Sequence, residues 1–269
     1  MGPVIDIIRN VEAYHTLFGP MVRDPGITPI GGEQQCAQLR KKYQNADDLC
    51  FIISSPMRRC IETALRGIAP LLDEGQGIVS LLPELQDVNA TPSGTGSPLS
   101  RLVDTYGVDN LEKRGVPEDW YLKGPDTPYA PDPVKVAARA RSARQSIRRA
   151  TRLAARLHPD VHTVVVTHGE FAHWLTYDFA GITNTRNSTW WPGEIRSYYF
   201  ADFENDDDND DATLVEIDTP DSLERRDSYY PAADTEELRR LQKQMAVLHV
   251  QGHKRMAAMW ASQEPENDA

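Results

Sequence analysis

The chain has 269 residues, of which 40% are hydrophobic and 26% charged, and its formal net charge is −11. This is the composition of an ordinary globular protein, and the length suffices for one large α/β domain or two small ones. Contacts to phosphate dominate the affinity of proteins for nucleic acids, so an acidic chain predicts no nucleic-acid partner. No apolar run approaches the roughly 18 residues that span a bilayer, and no signal-peptide pattern is present. We therefore expect a cytoplasmic protein without a membrane partner.

The negative charge is concentrated in residues 204–211, which include six aspartates and glutamates. This segment lacks the glycine turn and the closing glutamate of an EF-hand loop, so we expect a solvated acidic loop and not a calcium site. The three cysteines, Cys36, Cys50 and Cys60, show no metal-ligand spacing, and we expect free thiols. Neither feature implies a metal or a cofactor.

The first third of the chain alternates short apolar runs with helical patterns. An apolar run at 4–8 predicts a buried strand that ends at Arg9. Ser55 and Pro56 are typical of a helix start, with the serine as cap and the proline in the first turn. The other predicted elements are a helix from Thr28 and Pro29 to Lys42, a strand at 49–53 and a short strand within 77–82.

Residues 88–131 are rich in Gly, Pro, Ser and Asp. They predict a long insertion with little regular structure, and long loops of this kind often carry function. The aromatic residues Trp120, Tyr121 and Tyr129 within it are compatible with two arrangements. They form an apolar lid over an organic substrate, or they pack over the edge of the sheet.

A long helix is predicted from Pro133, because apolar residues recur there at alternating steps of four and three. This stripe consists of Val136, Ala140, Ala143, Ile147, Ala150, Ala154 and Leu157. Seven arginines between Arg139 and Arg156 occupy mostly the other faces of the helix. We expect these arginines to form a solvated surface that acidic neighbours balance.

A further strand, at 163–167, ends at His168 and Gly169, and a helix follows from Glu170. The segments 196–203 and 213–217 predict two antiparallel strands joined by the acidic loop.

A final helix is expected at about 234–261, with Asp234 as its cap, and its apolar stripe should dock it on the protein. The stripe consists of Leu238, Leu241, Met245, Leu248, Met256 and Met259. We expect a single domain of residues 1–262 and a disordered tail at 263–269.

Strands that alternate with helices predict a three-layer α/β/α sandwich, with a mostly parallel central sheet and an antiparallel edge strand. Ligands of such sheets bind at the carboxyl ends of the strands. Arg9, Arg59 and His168 follow predicted strand ends, so we expect them at one edge of the sheet. Guanidinium groups bind phosphate or carboxylate bidentately, and this edge therefore predicts an anion site.

Six segments resemble, in order and spacing, the motifs of the histidine phosphatase (phosphoglycerate mutase-like) superfamily, in particular its fungal-type branch. That family begins with a strand that ends in Arg-His-Gly or Arg-His-Ala. Here the strand ends in Arg9-Asn10, and Glu12-Ala13-Tyr14-His15 follows. The other matching segments are 24–31, 54–64, 82–87, 165–169 and 191–199.

The resemblance implies a reaction in which the first histidine attacks phosphorus, two arginines and a second histidine hold the phosphoryl oxygens, and a carboxylic acid protonates the leaving oxygen. The pocket residues would be Arg9, Arg59 and His168, and the acid would be Asp87. Asn10 occupies the position of the nucleophile. An amide nitrogen shares its lone pair with its carbonyl and does not act as a nucleophile at neutral pH, so the phosphohistidine route should be closed.

Three functions are compatible with such a pocket. The first is a repurposed enzyme of secondary metabolism that dehydrates, isomerises or cyclises a small anionic molecule without a cofactor. The second is a phosphomonoesterase of the same family that a His-to-Asn substitution has inactivated. The third is a non-catalytic, anion-binding pseudophosphatase.

The candidate catalytic residues are Asn10, Asp87, His168 and His15. A place at the rim explains His15 better than proton transfer does. Glu170 is a further candidate for substrate binding, although its position at a helix start favours stabilisation of the helix dipole.

Overall fold

The computed structural model describes residues 2–43, 49–72, 77–156, 161–205, 207, 210–229 and 236–262. The predicted cap Asp234, the predicted tail at 263–269 and part of the acidic loop lie outside these residues. A central sheet of seven strands lies between two layers of helices, which confirms the three-layer α/β/α prediction. Within the described residues no helix is both long and apolar enough to cross a membrane.

The regular elements follow the predicted alternation of strands and helices. The strands are β1 (Val4–Arg9), β2 (Leu49–Ser54), β3 (Val79–Leu81), β4 (Leu111–Glu112), β5 (His162–Thr167), β6 (Ile195–Phe200) and β7 (Leu214–Glu216). The helices are α1 (Tyr14–Phe18), α2 (Cys36–Lys42), α3 (Arg58–Gly67), α4 (Leu99–Tyr106), α5 (Pro133–Ala155), α6 (Gly169–Thr176), α7 (Pro220–Tyr229) and α8 (Glu236–Ala261). A π-helical turn, Gly31–Gln35, leads directly into α2.

The sheet has the strand order β4-β3-β2-β5-β1-β6-β7. The first five strands in this order are parallel, and β6 and β7 form an antiparallel hairpin at the edge beside β1. Two backbone hydrogen bonds align the carboxyl ends of the central strands. The backbone amide of Asn10 donates to the Thr167 carbonyl at 2.8 Å, and that of Ser55 donates to the Val166 carbonyl at 2.9 Å. Residues that follow β1, β2 and β5 therefore meet at one edge.

The central strands β1 and β5 are buried on both faces, which explains their apolar runs. Successive residues of β1 alternate between the two faces, so Ile7 packs in the cluster with α5 and α6 while Ile8 packs in the cluster with α2 and α3. The sheet edge that carries the candidate residues is thus fixed by a core on either side.

The helix α5 begins where the sequence predicts. Asp132 caps it, since its carboxylate accepts from the backbone amides of Val134 and Lys135. The prediction of a solvated arginine surface was wrong for three of the seven arginines, Arg139, Arg144 and Arg148, which are buried. They are tolerated inside because backbone carbonyls or carboxylates accept their N–H groups.

Other local predictions need correction. The helix expected at Ser55 begins at Arg58, because the Ser55 hydroxyl bonds to His168 and does not cap the helix. Residues 88–131 contain α4 and β4, so they hold more regular structure than expected. Trp120 is buried in the core cluster, and this aromatic ring packs over the sheet edge and not over an open cleft. The helix α7 occupies a segment for which no element was predicted.

The apolar stripe predicted for α8 was also wrong. Leu241, Leu248 and Met259 of that stripe are exposed, and the helix docks through a different face. The buried residues of that face are Gln242, Ala246 and Val250. Small side chains such as alanine let two helices approach closely. Which residues of α8 are buried is therefore decided by how the helix fits against its neighbours and not by the size of the side chains.

His173 on α6 connects the core to the candidate site. Its ring is fully buried, with Nδ1 2.6 Å from the Asp178 carbonyl, and Nε2 accepts from the backbone amide of Thr189 at 3.1 Å. Burial lowers the pKa of His173 to about 4. The ring is therefore neutral, with Nδ1 as donor, and it fixes the segment that leads to Trp190, whose carbonyl accepts from Arg9.

The neutral ring of His173 predicts a pH dependence of stability. Its pKa of about 4 in the folded protein lies below the ordinary 6.5, so the unfolded chain binds more protons between these two values. The contribution of the neutral His173 ring to the free energy of unfolding is complete above pH 6.5. It is lost as the pH falls towards 4, by up to about 1.4 kcal/mol per pH unit. Urea unfolding between pH 7 and pH 5 should show a shallower loss of stability for His173→Gln than for the wild type.

The matched control for this measurement is His249→Gln, a change at a half-buried histidine of α8. Its slope of unfolding free energy against pH should equal that of the wild type. Equal slopes for the wild type and His173→Gln would contradict the assignment of a buried neutral ring.

Candidate active site

A cleft of about 330 Å³ opens at the carboxyl edge of the sheet. The structure brings every predicted site residue to the wall of this one cleft. These residues are Arg9, Asn10, His15, Arg59, Asp87, His168 and Glu170. They come from distant parts of the chain, and the parallel sheet explains why they meet.

Asn10 immediately follows β1 and is buried. Its side-chain Nδ2 donates to the Val11 carbonyl at 2.8 Å, and its backbone amide donates to Thr167. The amide therefore has a fixed orientation. It offers hydrogen bonds to a ligand but no nucleophilic lone pair.

Arg59 and Asp87 form a buried ion pair in the cleft wall. The Arg59 Nη2 lies 2.7 Å from the Asp87 Oδ2, and the Arg59 Nη1 donates to the Ser93 carbonyl at 2.8 Å. Arg59 is 1% exposed, so water screens this pair little. The positive charge of Arg59 is consequently matched within the protein before any ligand binds.

The environment of Asp87 keeps its carboxyl group ionised. Burial alone would raise the pKa of Asp87, but the positive charges of its neighbours, that of His168 when protonated and those of Arg59 and Lys123, outweigh burial and lower it well below its ordinary value. Because His168 is itself neutral at neutral pH, the ion pair with Arg59 maintains the ionised carboxylate there. The backbone amide of Val88 also donates to its Oδ1 at 2.8 Å. A carboxylate of this kind is ionised at neutral pH, so it has no proton to donate and is a weak base.

The hydroxyl of Ser55 lies 2.9 Å from Nε2 of His168 and fixes the orientation of its ring. Its Nδ1 lies 3.9 Å from the Asp87 carboxylate. Burial and the nearby Arg59 charge lower the pKa of His168 well below its ordinary value, so the ring is neutral. The order Ser55, His168, Asp87 resembles a hydrolase triad, but Ser55 is fully buried and does not line the cleft.

Arg9 and His15 lie on opposite sides of Asn10 in the sequence and both reach the cleft. Arg9 is anchored by the Trp190 carbonyl, and a Cβ on Gly169 would lie 3.1 Å from its Nε, so only glycine fits there without displacing the arginine. His15 carries a buried Nδ1 without a hydrogen-bond partner among the described residues. Burial and the Arg59 charge lower the pKa of His15 to about 4, which leaves this ring neutral too.

The structure adds a residue that sequence reasoning missed. His253 of α8 lines the cleft, and its Nε2 lies 2.9 and 3.1 Å from the two carboxylate oxygens of Glu170. Asn187 also donates to Glu170, at 2.8 Å. No strand-end motif marks His253, and the only signal in the sequence is its spacing of three residues from the buried Val250.

A larger cavity, of about 690 Å³, lies along β6 and α7. Its arginines are already paired, Arg196 with Glu194 at 2.7 Å and Arg225 with Glu216. We therefore assign the chemistry to the smaller cleft, where the strand-end residues converge. In the part of the chain that the structure describes, no group of three or more His, Cys, Asp or Glu side chains could hold a metal ion.

Comparison with solved structures shows related folds. Ecdysone phosphate phosphatase from Bombix mori, in complex with tungstate, is 14% identical, with 81% of this chain and 93% of that chain covered and a TM-score of 0.56. Phosphoserine phosphatase from Entamoeba histolytica, in complex with 3-phosphoglyceric acid, is 16% identical, with 80% and 95% covered and a TM-score of 0.45. YhfR from Bacillus stearothermophilus is 18% identical, with 80% and 95% covered and a TM-score of 0.44.

At 14% identity, the likeness to the first of these structures shows the fold alone. No curated protein sequence matches the chain. The sequence model of one family, however, matches residues 22–207, which is well over half of the chain. This chain belongs to the histidine phosphatase superfamily (branch 1).

Proposed function

We propose that this chain is a cytoplasmic enzyme, formed by one domain of residues 1–262, that binds a small anionic molecule in the cleft. It converts this molecule by acid–base chemistry, without a phosphohistidine intermediate and without a cofactor. The observation that carries the proposal is the position of Asn10, which follows Arg9 at the end of β1 and lines the same cleft as Arg59 and His168.

Asn10 stands, in this proposal, where the family has its nucleophilic histidine. The fungal-type sequence that follows it, through Glu12 and His15, supports this alignment. The family match itself begins at residue 22, so the assignment rests on the strand end and on the cleft geometry.

The charges of the cleft support anion binding followed by proton transfer. Among the described residues no carboxylate is in direct contact with Arg9, and this guanidinium group can bind a carboxylate or phosphate group bidentately. Asp87 is ionised and the ring of His168 beside it is neutral, so both groups are in the form that accepts a proton, and His168 is not weakened as a base by an ion pair as Asp87 is. A base next to a fixed cation favours removal of a proton while the cation stabilises the developing negative charge, as dehydration, isomerisation and cyclisation require.

A non-catalytic, anion-binding protein is the second candidate. The ion pair between Arg59 and Asp87 favours it, because one of the two arginines is already neutralised without a ligand. A phosphomonoesterase inactivated by substitution at Asn10 is the third candidate, and the retained Arg9, Arg59 and His168 favour it.

Anion binding is tested first with Arg9→Gln. Loss of a charge-assisted hydrogen bond costs about 1.5–3 kcal/mol, so we expect the variant to bind inorganic phosphate roughly 10- to 150-fold more weakly than the wild type at pH 7. Isothermal titration calorimetry measures this affinity. The matched control is Arg114→Gln, an arginine whose side chain is 90% exposed, and it should bind like the wild type. Equal affinities for Arg9→Gln and the control would refute an anion site at Arg9.

The phosphatase alternative is tested with Asn10→His, which restores a nucleophile to the strand end. We expect no hydrolysis of alkyl phosphates such as phosphoserine and glycerol phosphate at rates typical of enzymes, about 1 s⁻¹ or faster. The reason is that Asp87 is ionised by its pairing with Arg59 and has no proton for an alkoxide leaving group. Phosphate release is the measurement, and turnover at enzymatic rates would establish the chain as a substituted phosphomonoesterase.

A further inference from the structure

The helix α8 reaches the cleft from outside the family match, which ends at residue 207. It is docked on the protein by its buried residues Ala246 and Val250. Beyond them, Lys254 binds the Asp132 carboxylate at the start of α5, at 2.6 Å. These contacts fix the position of the turn that carries His253.

His253 lies in this turn, and 18% of its side chain is exposed. Its Nε2 points between the two oxygens of the Glu170 carboxylate, so this nitrogen carries a hydrogen and donates it. Among the described residues, no protein group bonds to Nδ1. Nδ1 of the protonated ring therefore carries an N–H that no described protein group uses.

The charged groups around His253 come from several elements. Glu170 on α6 is in direct contact, and Asp87 and Lys123 on two loops act from farther away. Arg9, Arg59 and His15 share the cleft wall with it. Burial would lower the pKa of His253, but the hydrogen bond and the charge of Glu170 outweigh burial and raise it above the ordinary value.

His253 consequently differs from the other two histidines of the cleft. His15 and His168 lie in surroundings that favour the neutral ring, since each is buried and close to the Arg59 charge. His253 has a carboxylate as its direct partner and favours the imidazolium. A cation of this kind, which lines the same cleft as Arg9, is suited to the anionic oxygens of a ligand.

We propose that His253 is a further substrate-binding residue, whose imidazolium, held by Glu170, binds the anionic group of the substrate through Nδ1–H. This inference rests on the proposed anion site in the cleft. Binding of the anion then depends on the protonation of His253, and the affinity of the cleft for the anion should fall as His253 loses its proton.

The probe for the experiment is sulfate, because it remains a dianion between pH 5.5 and 8.5 and any pH dependence then belongs to the protein. Isothermal titration calorimetry of the full chain should show affinity falling by up to about tenfold per pH unit on the alkaline side. His253→Gln should bind about tenfold or more weakly at pH 6 and lose the dependence on pH. His253→Lys keeps a cation throughout this range, so it should bind sulfate tightly and with little dependence on pH.

The matched control is His249→Gln, one turn earlier on α8, where the ring bonds to the Thr183 carbonyl outside the cleft. It should keep the wild-type profile. A second readout is the C2 proton resonance of His253, assigned by its loss in His253→Gln. Its titration midpoint should lie above the ordinary 6.5 in the wild type and should move down in Glu170→Gln.

The outcomes separate this inference from the proposed function. Sulfate binding that depends on Arg9 but is equal in the wild type and His253→Gln at every pH would overturn the role of His253 and leave the anion site intact. No sulfate binding by the wild type at any pH would overturn both. A midpoint of His253 that does not respond to Glu170→Gln would overturn the pairing that holds the imidazolium.

Discussion

The ion pair between Arg59 and Asp87 is the interaction on which the cleft depends. It joins the first turn of α3 to the loop after β3, and it decides the charge state of two wall residues at once. Desolvation makes such a pair expensive to form, but removal of one partner leaves an unmatched buried charge, at about 3–5 kcal/mol. The pair therefore stays closed, Asp87 stays ionised, and Arg9 is the arginine of the cleft that no carboxylate of the described residues contacts directly.

The sequence was sufficient to predict the sheet and most of the residues that line the cleft, because both follow from local patterns. Continuous apolar runs predict buried parallel strands, and residues that follow such strands must meet at one edge. Arg9, Asn10 and His168 were found in this way. His253 could not be found, because the face on which a helix docks is decided by fit against its neighbours. In α8 the large apolar residues Leu241, Leu248 and Met259 are exposed, while Ala246 and Val250 are buried.

The arginines of α5 show a second limit of pattern reasoning. A hydropathy pattern assigns arginine to the surface, since burial of an unpaired charge is prohibitive. Arg139 is nevertheless inside, because the carbonyls of Gln86 and Asp87 accept its N–H groups. Such acceptors belong to a segment about 50 residues away in the chain, and only the tertiary structure reveals them. The same contacts tie α5 to the backbone that presents Asp87.

The way in which residues 86–93 are held has a consequence for how this protein could evolve. Three cationic side chains, those of Arg139, Lys123 and Arg59, donate hydrogen bonds to backbone carbonyls of this segment. The acceptors are the carbonyls of Gln86, Asp87, Asn89 and Ser93. Backbone acceptors are present whatever the side chain, so these contacts do not depend on the residues that face the cleft. The side chains of Asn89 and Thr91 on that wall shape the turn itself, because the Asn89 Oδ1 accepts from the amide and the hydroxyl of Thr91. Selection for a new ligand would therefore have to keep this pair, while the backbone contacts preserve the rest of the framework.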